Sequence, residues 1–413
     1  MKNETLRRLA GPGLIFTGAA IGTSHLVQST RAGAMFGLAL VVVILLANIL
    51  KYPAYRFGVD FAHTRGRSLL TGYRELGTPA LLLFLVLVTP LVPIIWAALG
   101  AATAGILTVI AGPVAPVPVL AAGVILAATA LLLIGGYRLL DRVNAWLLSF
   151  LCIATLITTA TVLPNVEWGT LVDFSWTREA AALLFIVALA GFMPNPMDVS
   201  VALSLWKVEG DRELPEGTHP PLAAARSGFL WPYVLTAFMA VCFCIMGAGV
   251  MHPGGIAPLP DAPGFAGQLV GLYRAALGDG VALLAALAGL SVMLTTVIAG
   301  IDAYSRIAGA SLAIFQGRED VSYTRREYAG FCLLFIVIAL VTIFTLLKDL
   351  TTFLDFVTSA SFVIAPVVAL LNHMVVTRCD MPEEARPDTL VKAWNWVAIA
   401  VMGGLAVMYF VMV

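Results

Sequence analysis

The chain has 413 residues, 60% of them hydrophobic and 12% charged, with a formal net charge of zero. Soluble proteins carry about a quarter charged residues, so this composition excludes a soluble globular protein and makes the lipid bilayer a partner. Zero net charge also excludes the basic footprint of a nucleic-acid binder. The cysteines at 152, 242, 244, 332 and 379 follow no zinc or disulfide spacing and read as small core residues. The sequence has no nucleotide loop, metal-ligand cluster or nucleophile elbow, which argues against an enzyme and a bound cofactor.

A membrane-crossing helix needs about 20 apolar residues. Eleven stretches qualify, at about 11–36, 38–60, 80–111, 116–135, 143–163, 179–205, 227–250, 280–314, 328–347, 351–376 and 391–412. The N-terminal MKNETLRR runs into the first without an A-x-A site, so that segment reads as a retained span. Positive residues cluster at alternate ends: Lys2, Arg7 and Arg8; Arg65 and Arg67; Arg138 and Arg142; Lys207, Arg212 and Arg226; Arg318, Arg325 and Arg326; Arg378, Arg386 and Lys392. The positive-inside rule then predicts a cytoplasmic N-terminus and an external C-terminus in a prokaryotic-type inner membrane. Lys51 and Arg56, near one end of span 2, are expected to snorkel. His63 and His219 read as solvated loop side chains.

Two spans carry interruptions. Span 1 places Gly22-Thr23-Ser24-His25 at mid-depth, and span 6 places Pro194 and Pro196 within Phe192–Asp198. Proline removes a donor and obstructs the preceding turn. Backbone groups freed inside a membrane must find partners in protein or solute. Breaks at the first span of each half point to an inverted five-plus-five repeat with a solute site between them. The predicted fold class is an all-α polytopic membrane protein with one transporter domain over 1–413. Its repeats are 11–163 and 179–376, followed by an extra span at 391–412.

Several motifs resemble the Nramp family of divalent-metal transporters, which has the LeuT-like fold. Ala32-Gly33-Ala34-Met35-Phe36-Gly37 is similar to that family's AGAxFG. VVVILLANILKYPAYRFG is similar to its span-2 LLAN segment, GGYRLLDRVNAWLLS to its span 4–5 connection, and Gly191-Phe192-Met193-Pro194 to its span-6 Met-Pro motif. The resemblance covers spans 1 to 10. It implies a LeuT-like transporter and departs from the family where ions bind. The family's Asp-Pro-Gly-Asn motif falls on Gly22-Thr23-Ser24-His25, so both of its metal ligands are missing. Met193 keeps the family's Met ligand, while the following His and Asn become Asn195 and Pro196. The acids of the family's proton path fall on Ile94 and Ala97.

The expected substrate is a small inorganic ion held by Gly22, Thr23, Ser24, His25, Met193, Asn195, Asp198 and, from span 10, Ser361. Helix N-termini beyond the two breaks attract anions. Losing the Asp while adding His25 and Arg31 shifts the region toward positive charge, further when His25 is protonated. The first expectation is therefore a small anion such as bicarbonate. Thr295 and Thr296 resemble the hydroxyl pair of the sodium site in many LeuT-like transporters. With the carbonyl of Val292 and those near Ala19 and Gly22, they imply Na+ as a coupling ion. The alternative is a divalent metal ion (Mn2+, Fe2+ or Mg2+) at a remodelled site of His25, Met193 and Asp198. A third reading is a non-transporting membrane sensor. Asp302 and Arg306, four apart on span 8, are expected to pair. The oligomeric state is left open by the sequence.

Overall fold

The structure, a computed structural model, describes residues 13, 15–134, 137–212, 214 and 219–412, with 137–145 described in backbone only. Lys2, Arg7 and Arg8 and the side chains of Arg138 and Arg142 lie outside the described residues. All regular structure in the described residues is helical. After helical residues 15–20 comes a wide π-helical stretch, Thr23–Ser29, that continues into α1 (Thr30–Phe36). The chain continues with α2 (Val41–Arg65), α3 (Leu69–Leu76), α4 (Thr78–Val88), α5 (Val92–Ala111), α6 (Val117–Ile134) and α7 (Tyr137–Val162). Its second half holds α8 (Ala180–Gly191), α9 (Val199–Arg212), α10 (Leu222–Val250), α11 (Ala262–Phe315), α12 (Arg325–Leu346), α13 (Leu350–Arg378) and α14 (Thr389–Met412).

Among the described residues, nine helices are long and apolar enough to cross a membrane. The expected spans 1 and 6 are not among them, because each is cut into short pieces. α11 is bent at Gly278, whose φ of 80° and ψ of 176° divide an entry helix from the expected span 8. That positive φ costs glycine little and other residues much. α2 runs to Arg65, five residues past the expected end of span 2, until Gly66 closes it in the left-handed region with φ 60°.

Membrane helices lack a hydrophobic drive toward one another and associate through small residues that let backbones approach. Such contacts hold the interrupted helices. A Cβ on Gly33 of α1 would sit 1.9 Å from the Cys244 carbonyl oxygen of α10, and one on Gly247 of α10 would sit 2.2 Å from that of Thr30. Gly191, at the end of α8, faces the Thr358 carbonyl of α13 at 1.9 Å in the same sense. Buried ion pairs add fixed points. Arg226 of α10 donates to both carboxylate oxygens of Asp60 in α2, at 2.7 and 2.9 Å, and Arg56 donates to the second at 3.3 Å. Cys242, Cys244 and Cys332 are buried free thiols, as expected of small core residues, while Cys152 and Cys379 are half-buried.

Candidate functional site

The first helix stops at Ala20, two residues before Gly22, which has φ −111° and ψ −128°. Its Cα packs against span 8, where a Cβ would meet Thr296 Oγ1 at 2.5 Å. The sequence placed the break over 22–25, but helical geometry resumes at Thr23 in the wider π form. At this junction Ser24 Oγ lies 2.6 Å from the Ala20 carbonyl. The second break is longer: α8 ends at Gly191 and α9 starts at Val199, with both prolines between.

Both breaks border one small cavity. Its polar lining comes from Thr23 and Ser24 of the first break, Asn195 of the second, and Thr296 and Tyr304 of α11. Phe192, Ile95, Leu99 and Trp206 supply apolar walls, and Ala19 also borders it. Thr296 Oγ1 lies 2.9 Å from the Gly18 carbonyl and 3.0 Å from that of Val292, so one hydroxyl faces both α11 and the broken helix. Thr295, in contrast, donates to Ser291 of its own helix, and Ser361 to Val357 of its own helix. Met193 is fully buried. Asp198 is buried at the end of the second break and accepts from the Tyr304 hydroxyl at 2.7 Å. Through Tyr304 it is one hydrogen bond from the cavity.

The two added basic groups of span 1 are both engaged. His25 Nε2 lies 2.9 Å from the Thr236 carbonyl, which only accepts, so this nitrogen carries a proton. Its Nδ1 lies 2.7 Å from Ser24 Oγ, leaving neither nitrogen directed at the cavity. Arg31 donates to both oxygens of Asp355 at 2.6 and 2.9 Å, and Gln28 bridges the pair. A bidentate, mostly buried pair of this kind neutralises the charge on which the anion expectation depends. Asp302 and Arg306 pair at 2.7 Å as expected, within a larger network of Trp206, Glu209, Tyr323 and Tyr328.

Lys51 corrects the expectation of snorkelling. It is 1% exposed, and its ammonium donates to the carbonyls of Ala190, Gly191 and Asn195 at 2.7, 2.8 and 3.2 Å. Tyr55, one turn on, places its hydroxyl 2.9 Å from the Asn195 carbonyl and 2.5 Å from that of Pro196. The prolines of span 6 strip its carbonyls of helical donors, and α2 supplies replacements. The sequence signal was available: a charged residue inside an apolar span is a functional candidate by default.

Residues 13–412 match the model of the family described as natural resistance-associated macrophage protein-like, Nramp. The chain belongs to the Nramp family. This Nramp chain is 33% identical over 375 residues to the uncharacterized protein PM0681 of Pasteurella multocida (strain Pm70), covering 89% of this chain and 84% of that one. Among solved structures it resembles a variant of the Eremococcus coleocola manganese transporter, with TM-score 0.72 and 14% identity over 98% of this chain and 86% of that chain. It also resembles MhsT in complex with L-phenylalanine, with TM-score 0.68 and 14% identity over 97% and 98% of the two chains. At such identities these likenesses concern the fold, which is LeuT-like. The family is one of transporters, not enzymes, so the Nramp chain's cavity is read as a solute site.

Proposed function

We propose that this Nramp-family protein is a secondary transporter that carries a divalent metal ion, of the Mn2+, Fe2+ or Mg2+ class, through the cavity between its helix breaks. One observation carries the reading. Both breaks border a mostly apolar cavity whose few polar side chains, Thr23, Ser24, Asn195, Thr296 and Tyr304, are neutral, with a buried carboxylate one hydrogen bond away, while His25 and Arg31 are engaged elsewhere. Hard oxygens suit Mg2+ and Mn2+, and the Met193 thioether suits the softer members of the class. The proposed ligand groups are Thr23, Ser24, Met193, Asn195 and Asp198, the last after release from Tyr304. The metal site thus omits His25, and Ser361 plays no part in it.

The two interrupted helices are proposed to cross the membrane together with the nine continuous ones, giving eleven spans in two inverted repeats of five plus one. The N-terminus is assigned to the cytoplasm and the C-terminus to the outside. The structurally similar Eremococcus coleocola protein is a manganese transporter, which supports the metal reading over bicarbonate. Purified protein in liposomes, offered Mn2+, Mg2+ or labelled bicarbonate with and without a Na+ gradient, tests this. Metal uptake abolished by Asp198→Asn is the expected result. Bicarbonate flux without metal flux overturns the proposal and restores the anion. A Na+ requirement lost in Thr296→Ala would assign the coupling site to Ala19, Gly22, Val292, Thr295 and Thr296.

A further inference from the structure

At the end of the bundle that carries the Lys- and Arg-rich loops, three side chains converge from three segments. His63 lies in the last turn of α2, Asp211 in the last turn of α9, and His219 in the connection to α10. His63 Nδ1 is 3.2 Å and His219 Nε2 is 4.0 Å from the same oxygen, Asp211 Oδ2. One ligand atom from each residue lies within 4.8 Å of the others, and the imidazole centroids are 4.6 Å apart. His63 is buried, contrary to the solvated loop residue expected, because α2 extends through it; His219 is exposed.

The hydrogen bonds around this cluster orient it. His63 Nε2 faces the Pro220 carbonyl at 3.0 Å, and a carbonyl cannot donate. That nitrogen therefore holds a proton, and in the neutral ring the Nδ1 lone pair points at the Asp211 carboxylate. Two lone pairs face each other stably only with a proton or a metal ion between them. A backbone carbonyl on the far nitrogen is the usual support of a metal-binding histidine. Lys207 holds the other carboxylate oxygen, Asp211 Oδ1, which leaves Oδ2 to the imidazoles.

We propose that His63 Nδ1, Asp211 Oδ2 and His219 Nε2 bind one divalent transition-metal ion, with a fourth position open to water. Two imidazoles and one carboxylate suit Zn2+, Co2+ or Ni2+, whereas Mg2+ and Ca2+ prefer oxygen alone. Tetrahedral ligands at about 2.0–2.1 Å from zinc stand roughly 3.3 Å apart. The His63–Asp211 separation of 3.2 Å already matches, and His219, now 4.0 Å away, closes by less than its exposed side chain can swing. The ion fastens α9, the helix beyond the second break, to α2 and to the chain entering α10. It is separate from the cavity and does not depend on the transport substrate.

Full-length protein in detergent micelles, titrated with Co2+ and followed by visible absorption, tests the site. The expected result is one equivalent with tetrahedral Co2+ bands, displaced by Zn2+. His219→Ala, at an exposed position, abolishes the bands, while Met193→Ala and Asp198→Asn at the proposed transport site leave them intact. His219→Cys restores binding and adds a thiolate-to-cobalt charge-transfer band, a signature that a merely structural histidine cannot give. Absence of the bands in the wild type, or their persistence in His219→Ala, overturns the proposal.

Discussion

Replacing Lys51 with methionine keeps the length of the side chain and removes its ammonium. All three ammonium protons are used, on the carbonyls of Ala190, Gly191 and Asn195. Two of these oxygens keep another donor. Asn195 has Tyr55 at 2.9 Å, and Ala190 has the Met193 amide at 3.3 Å. The variant thus loses part of the cap on α8. An unsatisfied buried acceptor costs about 1–3 kcal/mol. Relief from burying the ammonium offsets part of this, so a net loss of about 1–2 kcal/mol is expected. At about 2 °C per kcal/mol, the lower end for larger domains, melting falls by about 2–4 °C. The buried thiols Cys242, Cys244 and Cys332 serve as reporters through a thiol-reactive dye that labels them on unfolding. The double variant Lys51→Met/Tyr55→Phe removes both donors from the Asn195 carbonyl and should lose more than the two single variants summed. Wild-type melting in Lys51→Met, or strict additivity in the double variant, refutes the reasoning.

Other substitutions follow from single contacts. Gly191→Ala puts a methyl 1.9 Å from the Thr358 carbonyl oxygen, so it should fail to yield monodisperse protein on size exclusion, whereas Gly403→Ala, with nothing within 4 Å, should be neutral. Asp355→Ala leaves Arg31 as a buried cation without its bidentate partner and should lower melting more than Asp349→Ala, which removes a helix cap worth about 1 kcal/mol. Thr324→Ala breaks the capping box with Glu327 at the start of α12; a loss of about 1 kcal/mol in unfolding measurements is expected.

The breaks were legible because their causes are local. Pro194 and Pro196 cannot donate, and Gly22-Thr23-Ser24-His25 contains no strong helix former. The partners were not, because they come from far along the chain. Arg31 meets Asp355 across 324 positions and His25 meets Thr236 across 211, and no pattern within either segment announces the match. The expected anion rested on counting charges in one stretch, and the neutralising acid lay at the start of α13. Lys51 was misread for a similar reason: the reach of a lysine suggested escape to the surface, while the carbonyls freed by the span-6 prolines gave it a destination inside. His63 turned on a boundary error, since five more helical residues separate a loop position from a buried one.

The ammonium of Lys51 at the end of α8 is, in effect, an ion that cannot dissociate. A cation from solution occupies a trio of carbonyls according to its concentration. This one is tethered to α2 by four methylenes, and its occupancy depends on where α2 stands. The end of α8 is therefore insensitive to the ionic composition of the medium. It becomes vacant only when α2 and α8 part, so the distance between those two helices sets the charge at the second break.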